Sequence, residues 1–531
     1  MRVHKVLLGA VVATAGLVAV PASAGAAGPC SATPTRTISG AQTARFTSTL
    51  NPNERVNADA ASWAPSTTMP YPVYFDANAD SCWDGGRITG TFPVATTWSK
   101  YHDTAGIGVI GPNIVINHPR IFNVGDGIRI RDDADNFRVQ DAYLSYIHDD
   151  CVENDDLFNG TITNSFLDGC YVAFSTRRSD GSSVDGHNNT ETISNSLVRL
   201  QAMPTVYSGT AAGHGGFFKW DTSASHTSPK LVITNSIFRA DQDTNHQDLN
   251  LPTGYDVTCS GNTMVWLGTG AFPGNLPSCF ALTTDRSVWD NAARAWGQAH
   301  PGVITGPEAS VGDASVVEGE SGARSMRFPI TLSTPPGSGK TVKVYWATTP
   351  GTAGTSDYGL ARGMLSFTGT QVLKMVSVAV TPDTKPESDE QMSVVIAGVD
   401  GGQNLRERGT GTILNDDSGS GVRLYASDAT VVEGDSGVRN LVVPITLTKA
   451  ATSDVSLHWA TANGSAVSGS DYTAKSGTTK IASGKRQITV TIPLLADTTP
   501  ESTESFQLLI SAVTNATTVK GTGVVTIRDD D

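Results

Sequence analysis

A chain of 531 residues with 54 glycines, 17% charged residues and a formal net charge of −14 has room for about three domains. It shows no long helical period, which points to an all-β protein. The acidic balance argues against a nucleic-acid partner and makes a polyanionic substrate hard to attract unless basic groups or cations gather locally.

The first residues have the form of a secretory signal, with Arg2 and Lys5, the apolar run Val6–Val20 and the small-residue site Ala22-Ser23-Ala24. That run is shorter than the roughly 20 residues a bilayer span needs, and no later stretch could span one. Residues 1–27 are therefore expected to be a leader, and the mature chain an extracellular monomer without a transmembrane segment. Residues 28–80 carry weak strand signals and are expected to cap the open end of the domain that follows.

From Gly85 onward, short strands recur: Arg87-Ile88-Thr89, Gly108-Val109-Ile110, then Ile114–Asn117. Five later segments can be laid over one another, starting at Gly127, Cys151, Tyr171, Phe217 and Asp248. Their apolar residues fall into one column of Ile128, Val152, Val172, Phe218 and Leu249, and another of Ile130, Phe174, Trp220 and Leu251, with Asn154 as a misfit. Between them stands a column of Arg129, Glu153, Ala173, Lys219 and Asn250. Alternation at period two places one set inside and the other outside, and its return after irregular gaps predicts the rungs of a parallel β-helix over residues 28–300. Three near copies, Thr161–Phe166, Thr192–Leu197 and Val232–Ile237, would stack Asn164, Asn195 and Asn235 as an internal amide ladder. Loops at Ser179–Glu191, Val206–Gly215 and Asp221–Pro229 would protrude and wall a cleft. Cys30 with Cys82, and Cys259 with Cys279, could close the ends of this domain. Cys151 and Cys170 fall on neighbouring rungs, as a bridge or as two thiols. A short helix is expected at Trp289–Trp296, before a linker around Pro301–Pro307.

Residues 308–417 and 422–531 repeat one another. Val316–Gly322 returns as Val431–Gly437, Ser356-Asp357-Tyr358 as Ser470-Asp471-Tyr472, Asp383-x-x-x-Glu387-x-x-Glu390 as Asp497-x-x-x-Glu501-x-x-Glu504, and Asn415-Asp416-Asp417 as Asp529-Asp530-Asp531, all at one constant offset. Alternating strands between these landmarks suggest a β-sandwich. With these motifs both copies resemble Calx-β modules, which implies an Ig-like sandwich binding Ca²⁺ through carboxylates at one end. Carried over by position, the ligands would be Glu318, Asp357, Asp383, Glu387, Glu390, Asp416 and Asp417 in the first copy. In the second they would be Glu433, Asp471, Asp497, Glu501, Glu504, Asp529, Asp530 and Asp531. Elementary chemistry points the same way, because so many converging carboxylates repel one another without a cation.

In the first domain, Asp126-Gly127-Ile128 followed about one rung later by Asp149-Asp150-Cys151 resembles the polygalacturonase family of right-handed parallel β-helix glycosidases. The resemblance implies that carboxylates protonate the leaving oxygen and activate water. The chain departs from that family where Asp168-Gly169-Cys170 replaces Gly-His-Gly and where no Arg-Ile-Lys follows. An alternative draws on the polar column and its flanks, including Arg131, Asp155, Arg178 and Asp221. For elimination across a uronic acid, Lys219 or Arg177 could act as base, Arg129 or Ca²⁺ as neutraliser, with Glu153 beside them. The bland reading of the same residues is a solvated, ion-paired sheet face. His148 and His214 read as turn residues, and Asp241-x-Asp243-x-x-His246-x-Asp248 as a weak cation motif. Tyr207, Phe217 and Trp266 could stack on sugars. The expected function is engagement, and cleavage by a lyase or hydrolase mechanism, of a polysaccharide or cell-surface glycan. The competing expectation is a non-catalytic extracellular adhesin or matrix protein.

Overall fold

This computed structural model describes residue 30 and residues 33–528, except 79, 179–182, 222–226, 245–247, 253–256, 323, 418–420, 435, 500, 502 and 503. The leader and Asp529–Asp531 lie outside the described residues. Short strands pair in parallel, rung upon rung, to build a β-helix with three stacked faces. Inward side chains such as Ile107, Ile128, Val152, Phe174, Phe238 and Met264 make one continuous buried core. That core is the stabilising term, because each rung alone cannot bury its own apolar side.

One face carries β1 (Asp126–Ile130), the second halves of β2 (Tyr143–Asn154) and β3 (Phe166–Thr176), and β4 (Phe218–Trp220). Their register places Arg129 beside Glu153, Glu153 beside Ser175, and Ser175 beside Lys219. The third rung therefore aligns two residues later than the sequence columns place it: Val152 faces Phe174 rather than Val172, and Ser175 replaces Ala173. β2 and β3 also change register by one residue between Ile147 and Asp150. The fifth segment departs as well: 248–251 form no strand, although Leu249 and Leu251 join the core.

Two further expectations change. Residues 28–80 are not a cap, because Arg36–Gln42, Phe46–Thr49, Arg55–Trp63 and Val73–Asp76 already pair as rungs. Small inward residues, Ala58 and Ala61 beside Val56 and Trp63, blur their alternation in the sequence. The asparagines form no internal ladder. Asn164, Asn195 and Asn235 are exposed, with φ of 49°, 50° and 49°, a left-handed turn that Asn tolerates better than most residues. The internal ladder is made by the serines that follow. Ser165 N donates to Ser196 Oγ and Ser196 N to Ser236 Oγ, each at 3.2 Å, and all three serines are buried. Disulfides join Cys30–Cys82, Cys151–Cys170 and Cys259–Cys279. The terminal helix runs longer than expected, over Arg286–Ala299. Asp285 caps it, and Trp289 and Trp296 are buried against Phe166.

Two sandwiches follow. In the first, the sheet Leu373–Val380, Arg324–Leu332, Glu308–Val311, Gln403–Arg406 faces the sheet Ala314–Val317, Arg408–Leu414, Glu390–Asp400, Gly337–Pro350, Arg362–Gly369; the second repeats this order strand for strand. The first sandwich is docked on the β-helix. Tyr345 packs on Tyr146 and Phe122, and Gly398 approaches Tyr146 so closely that a Cβ would lie 2.6 Å from the ring. Beside them, buried Glu407 meets Arg199 and Arg239, both at 2.9 Å, and Arg286 at 3.1 Å. Burial alone would push the Glu407 carboxyl up, but Arg239, Arg286 and Arg199 hold it well below its ordinary range.

Removing one partner from such a site strands buried charge. Glu407→Ala is expected to destabilise the full chain by about 3–5 kcal/mol, seen in denaturant unfolding. A loss under about 1 kcal/mol would place Glu407 outside a buried network.

Candidate functional site

On the face of β1–β4, the stacked register gathers polar groups into a cleft of about 670 Å³ lined by His102, Arg129, Asp150, Glu153, Arg177 and Lys219, among others. Asp126 sits at the start of β1 and Asp149-Asp150 in β2, and the three carboxyls bring oxygens within 4.8 Å of one another. Lys219, arriving from β4, lies 2.8 Å from Asp150 Oδ1 and 3.3 Å from Asp149 Oδ1. Asp150 N also donates to Asp126 Oδ1 at 3.1 Å. Only Asp150 of the three carboxyls lines the cleft; Asp126 and Asp149 lie behind it.

Desolvation sets the protonation states. It pushes Asp126 and Asp150 above the usual carboxylate range, against the pull of Arg129 on the first and Lys219 on the second. Burial acts on Asp149 too, but hydrogen bonding to His102 and the charge of Lys219 win and keep it low. Neighbouring aspartates are thus driven apart into an acid and a base. Burial works against the Lys219 ammonium, yet Asp150 and Asp149 outweigh it and hold its proton more tightly than an ordinary lysine. Lys219 is therefore not the expected base for elimination. Arg129 is not an available neutraliser either, since it pairs with Glu153, lies 3.3 Å from Asp126 and donates to Tyr71 Oη at 2.6 Å. Arg177 is exposed at the cleft wall.

His102 is the residue that sequence reasoning missed. It follows the short helix Trp98–Tyr101, outside any rung, and its Nδ1 lies 2.8 Å from Asp149 Oδ2. Gly125 lets that helix come so near, because a Cβ there would fall 1.9 Å from the Tyr101 carbonyl oxygen. No repeated element marks His102, so only the wound chain could reveal it. His148 and His214 are buried away from the cleft. His148 stacks on Tyr101 with its pKa driven down by desolvation, and His214 Nδ1 bonds to the Gly215 carbonyl at 2.8 Å. Asp241 is paired with Arg239, and His246 lies outside the described residues. Phe217 and Trp266 are core residues, while Tyr207 is exposed.

At one end of the first sandwich, three overlapping groups form: Glu318, Asp383 and Glu387; Glu318, Asp416 and Asp417; Asp357, Glu387 and Glu390. All seven expected ligands of that copy are among them. Desolvation first, then Asp383 and Glu387, raises Glu318 to about 7; desolvation and Asp357 raise Glu390 to about 7. Asp416 Oδ2 and Asp417 Oδ2 are buried with no hydrogen-bond partner. In the second sandwich, Asp471, Glu501 and Glu504 converge. Glu433 and Asp497 join no such group among the described residues, and Asp529, Asp530 and Asp531 lie outside them.

The family model of the Calx-beta domain matches residues 313–418 and 415–531. The two sandwiches are Calx-β domains. Among known relatives, an adhesion G-protein coupled receptor V1 from Danio rerio is 28% identical over 198 residues, 36% of this chain; the chain spans only 3% of that protein. Among solved structures, CBD12 from CALX1.2 is matched over its whole length and 42% of this chain, with 17% identity and a TM-score of 0.20. The apo form of Calx CBD1 is likewise matched over its whole length and 21% of this chain, with 22% identity and a TM-score of 0.20.

The donor set of the first Calx-β domain fits a hard cation: all-oxygen, strongly anionic, with carboxyls raised by one another and two buried oxygens lacking a partner. Among the described residues no helix is long and apolar enough to cross a membrane.

Raised native carboxyls give a signed expectation. A carboxyl whose folded pKa stands above its unfolded value costs stability as pH rises through that window. In EDTA the first Calx-β domain should melt progressively lower from about pH 5 to about pH 7.5, and added Ca²⁺ should abolish the slope. A melting temperature insensitive to both pH and Ca²⁺ would contradict the crowding of Glu318 and Glu390.

Proposed function

We propose that this chain is an exported protein whose β-helix engages and hydrolyses a glycan, and whose two Calx-β domains take up Ca²⁺. The observation that carries the reading is the meeting of Asp126, Asp149, Asp150 and Lys219 at the wall of one cleft that Asp150, Lys219 and His102 line, with burial raising Asp150 while His102 and Lys219 hold Asp149 low. Asp150, on the cleft wall, gives its proton to the leaving glycosidic oxygen. Asp149, kept ionised behind the cleft wall, orients His102, whose Nε2 would take a proton from water as the water oxygen bonds to the anomeric carbon and the glycosidic bond breaks. Lys219 stays charged throughout and fixes both carboxyls. Asp126 holds the backbone of Asp150 in place. Hydrolysis is preferred over elimination because no cleft lysine is free to accept a carbon-bound proton.

For Ca²⁺, Glu318, Asp357, Asp383, Glu387, Glu390, Asp416 and Asp417 would supply the first domain, and Asp471, Glu501 and Glu504 the described part of the second. Bound there, the cation would neutralise the carboxylates and stiffen that end of each sandwich. The first domain would transmit its position directly to the β-helix through the Glu407 and Tyr345 contacts.

A second reading, a non-catalytic adhesion or matrix protein, draws support from the resemblance of residues in this chain to a cell-surface adhesion receptor and from the near-complete burial of Asp126 and Asp149. One experiment separates them. The purified chain is incubated with a polysaccharide panel, with and without EDTA, while reducing ends and ultraviolet absorbance are followed. Hydrolysis predicts new reducing ends without absorbance, lowered about 100-fold or more in Asp150→Asn. Absorbing unsaturated ends would mean elimination, and binding without products would favour the adhesin.

A further inference from the structure

The loop after Leu200 and the short helix Trp98–Tyr101 come from distant parts of the chain, yet their aromatic residues meet beside the cleft. Trp98 stacks on His102 with ring centroids 4.7 Å apart and an interplanar angle of 21°. Tyr207 stands against Trp98 at 4.8 Å and 81°. His102 is itself part of the cleft wall and holds Asp149, so the shelf is continuous with the carboxylates. Tyr207 remains 56% exposed, the one aromatic among the large exposed apolar side chains of the described residues. A tyrosine ring there offers an apolar face for stacking while its hydroxyl stays hydrated. The far end of the same cleft is charged instead, with Arg131, Asp155, Asp156, Arg177 and Arg178.

The two ends therefore offer different chemistry to one extended ligand. We infer that Tyr207, Trp98 and His102 form a subsite for an uncharged pyranose ring, stacking on its apolar face while the neighbouring glycosidic bond lies over Asp150. Alternating apolar faces and hydroxyl edges suit this surface, because the rings cover carbon while His102 presents a polar edge. Tyr207 and His102 flank Trp98, so a chain entering over Tyr207 runs toward His102 and Asp150 on the cleft wall. The inference rests on the glycan reading above and specifies which end of the cleft the neutral sugar occupies.

The test uses the full-length chain carrying Asp150→Asn to prevent turnover. Tryptophan fluorescence and calorimetry follow titration with hexasaccharides of glucose, xylose, mannose, galactose and galacturonate. At least one neutral hexasaccharide is expected to bind and to perturb tryptophan emission. Adding Tyr207→Ala should weaken that binding about tenfold, whereas Tyr207→Phe should preserve it and neither change should lower the melting temperature. Unchanged binding in Tyr207→Ala, with wild-type turnover still dependent on Asp150, would overturn the subsite and leave the hydrolase reading standing. Binding of galacturonate alone would also overturn it. Neither binding nor cleavage of any probe by the wild-type chain would remove both.

Discussion

Parallel stacking in register is the constraint on which the rest depends. Residues at one position of successive rungs become neighbours regardless of how many residues separate them, and backbone hydrogen bonds hold them at strand spacing. Thus Arg129, Glu153, Ser175 and Lys219 form one column, and the ammonium of Lys219 reaches two aspartates nearly seventy positions earlier. The core beneath them fixes the register, since a one-residue slip would turn the inward side chains to solvent. Charge gathered in this way is desolvated by the same packing, which raises Asp126 and Asp150 while His102 and Lys219 hold Asp149 low.

The Calx-β domains follow a different logic. Their acidic ends are built from turns between strands, so the carboxylates converge because the sandwich brings loop tips together. In the first domain the strand Glu390–Asp400 begins at that acidic end and finishes against the β-helix. The domain is therefore a strut whose two ends meet different chemistry, a cluster of oxygens at one and buried Glu407 with Tyr345 at the other. A docked first domain also places the β-helix and the acidic cluster in one mechanical unit rather than on a free tether.

Much of this was legible in the sequence where a local rule suffices. Period-two alternation exposed the column from Arg129 through Glu153 to Lys219, the constant offset exposed the duplication, and the resemblance of its motifs to Calx-β modules pointed to the seven carboxylates that converge in the first copy. What escaped depends on three-dimensional accidents. The third rung pairs two residues later than the alternation suggests, and nothing in the composition of β2 marks it. The repeated Asn164, Asn195 and Asn235 suggest a ladder that the smaller Ser165, Ser196 and Ser236 make instead, because the asparagines take the left-handed turns. His102 lies outside every repeat, and Glu407 looks like one acidic residue among many until Arg199, Arg239 and Arg286 close around it.

The most direct test of the stacked site is a double-mutant cycle between Lys219→Met and Asp150→Asn in the full-length chain, read as unfolding free energy of the β-helix transition in urea. Groups in contact across rungs predict non-additivity of about 1–3 kcal/mol, with Lys219→Met costing less when the Asp150 carboxyl has already been replaced. Additivity within about 0.5 kcal/mol would mean that the two side chains do not meet, and the account of the cleft would be contradicted.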